Sequence, residues 1–143
     1  MSAEAQVDDA AVRAALCADL LELGRPLDAW LRVSMALALA ALIFGVGHRG
    51  FLLVSLPAAA VAFYYGLRVR FDAVVFGRWA RDWRGGDDVQ VAGTLSAFDA
   101  ARGSRAAPRS VAQRCAGARA LLVRQAVAVA VHSVLVLAAA LMQ

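Results

Sequence analysis

The fold is decided by one arginine-rich stretch, Gly66–Arg124, which reads GLRVRFDAVVFGRWARDWRGGDDVQVAGTLSAFDAARGSRAAPRSVAQRCAGARALLVR. It contains eleven of the fifteen basic residues of the chain, and all fifteen are arginines. Two strongly apolar runs flank it, Leu31–Tyr65 before it and Gln125–Met142 after it. Because positive charge beside a membrane span is retained on the cytoplasmic side, the pattern predicts a basic cytoplasmic unit between membrane helices.

The composition of the whole chain agrees with a membrane protein. Hydrophobic residues make up 62% of the 143 residues, and the mean hydropathy is +0.63. In soluble domains the apolar share is about 45–50%. The predicted fold class is therefore all-α: an integral membrane protein with three transmembrane helices and a helical cytoplasmic subdomain built from extensions of those helices.

The N-terminal segment, residues 1–26, is acidic and predicts a cytoplasmic amphipathic helix rather than a signal peptide. Gly24 is expected to cap this helix. The apolar residues recur at helical spacing and form one stripe: Val12, Leu16, Leu20, Leu23 and Leu27. The stripe has two candidate partners, a lipid surface or the other cytoplasmic helices. Helices on membrane surfaces are rich in Lys and Arg, whereas this one is acidic, so packing against protein is favoured.

Residues 27–65 predict a transmembrane hairpin of two spans with an outer turn at about residues 45–50. Trp30 lies at the start of the first span, where an indole suits the headgroup layer. The turn contains one arginine, Arg49, against the eleven that follow. This asymmetry predicts that the N-terminus is inside, the turn is outside and Gly66 is inside again.

The basic segment, residues 66–124, is predicted to be helical and cytoplasmic. No proline or turn cluster lies between Tyr65 and Arg84, so the second span is expected to continue out of the membrane as one long helix. A short helix over residues 87–101 follows, and the last helix is expected to begin at Pro108.

One face of the long helix carries Asp72, Phe76, Trp79 and Trp83, which form a candidate core or interaction face. We expect it to be covered within the chain, with Asp72 in a structural ion pair. The predicted core of the cytoplasmic subdomain consists of Leu16, Leu20, Phe76, Trp79, Trp83, Val91, Leu95 and Phe98.

The third predicted span, residues 125–143, contains the candidate intramembrane polar site: Gln125, His132 and Ser133. An ionisable residue inside a span is a functional candidate, although a neutral imidazole can also bond silently to a backbone carbonyl. A stripe of mostly small or β-branched residues predicts the seam against the other spans: Val111, Cys115, Ala118, Leu122, Val129, Ser133 and Val136.

The sequence contains no phosphate loop, nucleophile elbow or metal-binding spacing. We therefore expect no enzyme activity, no catalytic or metal-binding residue and no cofactor. His48 and His132 fall at different depths, which disfavours a haem. Cys17 and Cys115 are interpreted as small apolar fillers.

The expected function is that of a small bacterial-type inner-membrane protein, a non-catalytic scaffold, assembly or regulatory partner of another membrane component. The alternative is a subunit of a small oligomeric channel or transporter, and a membrane enzyme or redox subunit is a third class. Expected partners are the lipid bilayer with its anionic headgroups, and a protein partner or a second copy of the chain. Nucleic acid is not expected, because the arginines lack an aromatic stacking platform. The predicted topology has a cytoplasmic N-terminus and a periplasmic C-terminus.

Overall fold

The computed structural model describes residues 3–82, 97, 100 and 110–142. These residues form no strand and give four helices in the order α1 (Ala3–Glu22), α2 (Gly24–Phe44), α3 (Arg49–Asp82) and α4 (Val111–Leu141). The predicted all-α class is confirmed. The cytoplasmic placement of any part stays a prediction.

Three helical stretches are long and apolar enough to cross a membrane: Ala11–Phe44, Arg49–Arg81 and Val111–Leu141, with mean hydropathies of 1.8, 1.7 and 2.0. The first runs across the junction of α1 and α2, where Leu23 keeps right-handed helical angles. Large apolar side chains along these helices point outward. Such a surface would be an aggregation hazard in water but is suited to lipid.

The long helix α3 contains 34 residues and passes through Pro57 without a break. Its continuity beyond Tyr65 agrees with the absence of a turn cluster there. The predicted helix over 87–101 lies outside the described residues except at positions 97 and 100, which are helical.

The last helix begins at Val111 and is preceded by a capping box. The Ser110 hydroxyl accepts a hydrogen bond from the backbone N–H of Gln113 at 3.3 Å, and the Gln113 side-chain oxygen accepts one from the Ser110 N–H at 3.1 Å. These bonds satisfy backbone donors that a helix start leaves free. The Ser-x-x-Gln spacing is the sequence signal for this start.

The chain divides into two compact units. The first consists of Met1–Leu21 and Asp72–Arg119, and the second of Glu22–Phe71 and Ala120–Gln143. The second unit holds α2, most of α3 and the last part of α4. Its two apolar clusters are built largely from alanines, which let helices approach closely in lipid. They contain Leu31, Ala59, Ala62, Ala128 and Val129 in one, and Ala38, Leu52 and Ala139 in the other.

The turn between α2 and α3 is fixed by two glycines with positive φ. Gly45 caps α2 at φ 69°, and its N–H donates to the carbonyl of Ala41. Gly47 has φ 79°, and a Cβ there would lie 2.8 Å from the backbone oxygen of Ala139. The His48 N–H donates to that same oxygen at 2.9 Å. The turn therefore docks on the end of α4 through close backbone contact.

The first unit corrects the prediction for the apolar stripe of α1. Leu16 is 63% exposed, Val12 is also exposed and Leu20 is half-buried. Among residues 11–22 of α1, the buried ones are instead Ala14, Cys17, Ala18 and Leu21. Periodicity selected the stripe of Val12, Leu16 and Leu20, whereas the buried face has Ala14, Cys17 and Ala18 with Leu21.

The other wrong detail concerns Gly24, which was expected as a helix cap. It has no positive φ and is the first residue of α2. A Cβ at Gly24 would lie 3.0 Å from Cγ1 of Val69 and 3.2 Å from Oε1 of Gln125. The glycine is needed for close packing of the three helices in the second unit.

Candidate functional site: a buried polar cluster

Asp28 is a buried carboxylate, with only 7% of its surface exposed. It lies in the second turn of α2, a largely apolar helix that also carries Arg25 and Arg32. A charged group in such a place needs a partner of opposite charge and further hydrogen bonds. Its environment therefore identifies the polar site of the second unit.

Both carboxylate oxygens of Asp28 are occupied. Oδ2 accepts from Nε of Arg70 on α3 at 2.6 Å, and Oδ1 accepts from Nε2 of Gln125 on α4 at 2.7 Å. The Gln125 amide also lies 3.5 Å from the carbonyl oxygen of Gly24. We call Asp28, Arg70 and Gln125 the polar clamp, because these three side chains join α2, α3 and α4.

Gly66 provides the space for the polar clamp on α3. A Cβ at this position would collide with Oδ1 of Asp28 and lie 3.1 Å from Nε2 of Gln125. Glycine is therefore required by the close approach of side chains from two other helices, not by its backbone angles.

His132 lies two turns beyond Gln125 on α4 and is fully buried. Its Nδ1 is 3.0 Å from the backbone oxygen of Ser55 on α3. Since a carbonyl only accepts, Nδ1 carries the proton in this contact. Nε2 has no hydrogen-bond partner among the described residues. The contact is an interhelical hydrogen bond to backbone, as expected for a silent imidazole.

Ser133 uses its hydroxyl twice. It donates to the backbone oxygen of Val129 at 2.9 Å and accepts from the indole Nε1 of Trp30 at 2.9 Å. The indole at the start of the first span is thereby tied to the third span. Neither contact joins Ser133 to Gln125 or His132.

The three predicted polar residues on α4 thus each bond to a different place in the unit. Gln125 contacts Asp28, His132 contacts Ser55, and Ser133 contacts Trp30. These three side chains therefore do not form one common site. Each of these bonds reaches a neighbouring helix, so each contributes to helix association.

Asp28 and Arg70 were missed as site residues from the sequence. Asp28 falls at the start of the predicted hairpin and Arg70 in the predicted basic segment, and neither was singled out as a site residue. The rule that marked His132, an ionisable residue in an apolar span, applies equally to Asp28. That signal was present in the sequence.

The second candidate set lies in the first unit. Phe76 and Trp79 are buried and pack edge to face, with ring centroids 5.3 Å apart. The Arg114 guanidinium lies over the Trp79 ring at 5.8 Å. Asp72 is half-buried and has polar contacts of its own, and Trp83 lies outside the described residues. Burial of the two rings favours a core role over an open interaction face.

The remaining members of the predicted subdomain core, Val91, Leu95 and Phe98, also lie outside the described residues. Over residues 3–82 and 110–142, no three His, Cys, Asp or Glu side chains form a group that could hold a metal ion. Comparison with protein-family models, curated proteins and solved structures finds no match to this chain.

Proposed function

We propose that this protein is a non-catalytic scaffold of the bacterial inner membrane, which assembles with or regulates another membrane component. The observation that carries the proposal is the use made of the buried polar side chains. Asp28 on α2 bonds to Arg70 on α3 and to Gln125 on α4, and His132 bonds to the backbone of Ser55 on α3. Polar side chains that bond to other helices stabilise a defined helix arrangement.

The exposed face of α1 supports a protein partner. Val12 and Leu16 point outward, and the neighbouring Asp19 is also exposed. An acidic helix is poorly suited to an anionic membrane surface. We assign this apolar face to contact with a helix of a different membrane protein.

Photocrosslinking in cells tests this assignment. A photoreactive amino acid at Leu16 should give a discrete adduct with one other membrane protein. The same residue at Val134, an exposed apolar position on α4, serves as the lipid-facing control and should give none. Equal products at both positions, no protein adduct at Leu16, or an adduct of twice the mass of this chain would each contradict the proposal.

One observation favours the alternative, a subunit of a small oligomeric channel or transporter. Oε1 of Gln125 and Nε2 of His132 both lack partners in the described part of the chain, and both residues lie on the buried face of α4. Flux measurements in liposomes separate the two functions. The scaffold predicts no ion or proton flux above that of empty vesicles, whereas a channel predicts flux that is lost in His132→Leu.

A further inference from the structure

A groove of about 270 Å³ lies beside the polar clamp, between α2 and α3. Asp28 and Arg32 line it from α2, and Phe63, Leu67 and Arg70 line it from α3. These residues are spaced at i, i+4 on α2 and at i, i+4, i+7 on α3, so each set occupies one helix face. The groove is smaller than the roughly 300–1,000 Å³ of ordinary small-molecule pockets, which suits a headgroup better than a whole metabolite.

The charges of the groove do not cancel. It contains two guanidinium groups and one carboxylate. Both oxygens of Asp28 are already engaged, and Arg70 uses only its Nε in that ion pair. The terminal nitrogens of Arg70 remain as donors. Within residues 3–82 and 110–142, no carboxylate pairs with Arg32. The groove is therefore complementary to one further anion.

The apolar walls of the groove indicate which class of anion it binds. Phe63 and Leu67 are exposed apolar side chains. Tyr64, next to Phe63, and Trp30, two residues from both Asp28 and Arg32, are also exposed, and such aromatic residues are enriched at the headgroup level of a bilayer. A soluble phosphate ion has no apolar group to contact Phe63 and Leu67. A phospholipid carries a phosphate and acyl chains together, so it can contact both the arginines and the apolar wall.

We propose that this groove binds an anionic phospholipid. Arg32 and Arg70 contact the phosphate oxygens, and Phe63 and Leu67 contact the first methylene groups of an acyl chain. Asp28 acts as a positioning residue, since its ion pair holds Arg70 at the edge of the groove. Basic pockets between membrane helices are known to recognise lipid headgroups through this chemistry.

Native mass spectrometry of the full chain, purified in detergent and titrated with phosphatidylglycerol or phosphatidylcholine, tests the proposal. We expect one phosphatidylglycerol molecule to bind in preference to phosphatidylcholine. Arg32→Gln should weaken that binding about tenfold, the effect of one lost charge-assisted hydrogen bond. Arg32→Lys should retain most of it. Millimolar inorganic phosphate should not displace the lipid.

Arg68→Gln is the matched control, because it also replaces one arginine by glutamine, on α3 next to the groove residues Leu67 and Arg70. Arg68 is not part of the groove, and its guanidinium bonds to the Tyr64 hydroxyl at 3.1 Å. The Arg68→Gln variant should bind phosphatidylglycerol with the same affinity as the unmodified chain. Equal binding of both lipids, equal losses in Arg32→Gln and Arg68→Gln, or displacement by inorganic phosphate would each overturn the proposal.

Discussion

At the scale of single residues, the Gln125 amide makes its hydrogen bonds through Nε2 alone. Oε1 has no partner among the described residues. A buried unsatisfied carbonyl costs about 1–3 kcal/mol. The reversed amide would point its oxygen at the Asp28 carboxylate, which is less favourable still. The orientation of Gln125 is therefore set by the charge on Asp28.

Gly66 provides a sharp test of the polar clamp. Gly66→Ala would place a methyl group against Oδ1 of Asp28, so the free energy of unfolding should fall by about 1–3 kcal/mol, as in other overpacked sites. Unfolding in detergent mixtures of increasing denaturing strength measures this change in the free energy of unfolding. Gly117→Ala is the control, because no atom lies within 4 Å of a Cβ at that helical position. It should be neutral or stabilising by about 0.4–1 kcal/mol. Equal stabilities of the two variants would contradict the packing.

His132 is expected to be structural. In His132→Leu the unpaired Nε2 disappears, and the Ser55 carbonyl loses only an extra hydrogen bond. The loss of stability should therefore stay below about 1.5 kcal/mol. The same unfolding assay measures this loss. A far larger loss, or ion flux in liposomes that disappears with this substitution, would assign His132 a functional role.

At the scale of helices, the sequence predicted the long α3 and the apolar last helix because both depend on local signals. The seam of α4 was also largely found. Val129 and Ala118 are buried and the other members of that stripe are half-buried. The inward face of α1 was not found. Which face turns inward depends on the shape of the partner, and on α3 a Cβ at Gly77 would lie 3.9 Å from the Cβ of Ala18, so small residues meet where the two helices are close.

The polar clamp shows a second limit of sequence reasoning. Asp28, Arg70 and Gln125 are far apart in the chain, and their pairing follows from the register of three helices. No helical period relates them. Hydropathy located the spans, but it gave no register between them.

Contact between α1 and α4 in the first unit can be tested by oxidation. Cys17 and Cys115 are free thiols that line the same cavity, Cys17 from α1 and Cys115 from α4. Copper phenanthroline should remove two electrons and two protons and join them in an intramolecular disulfide. Peptide mass mapping identifies the linked pair, and Cys17→Ala should abolish the product. Formation of disulfides only between molecules would contradict the arrangement of α1.

At the scale of the whole molecule, the arginine asymmetry predicts the orientation in the membrane. The segment around Ser104, which lies outside the described residues, is expected to face the cytoplasm, and the C-terminus is expected to face the periplasm. Cysteines introduced at Ser104 or after Gln143, in a chain lacking Cys17 and Cys115, report this in whole cells. An impermeant thiol reagent should label only the C-terminal site. Labelling at position 104 would show that this segment faces the periplasm, which contradicts the predicted topology.

The buried polar side chains of the clamp should hold the membrane helices together. A double-mutant cycle between Asp28→Ala and Gln125→Ala tests it directly. We predict a coupling free energy of about 1–2 kcal/mol, at the upper end for interhelical bonds in membranes because the acceptor is charged.

The control cycle pairs Gln125→Ala with Arg68→Ala, for which no hydrogen bond or ion pair to Gln125 is found in the described chain. Those two changes should add within about 0.5 kcal/mol. Coupling confined to the Asp28–Gln125 cycle is the predicted result. Additive losses in that cycle would contradict the polar clamp and the scaffold function that rests on it.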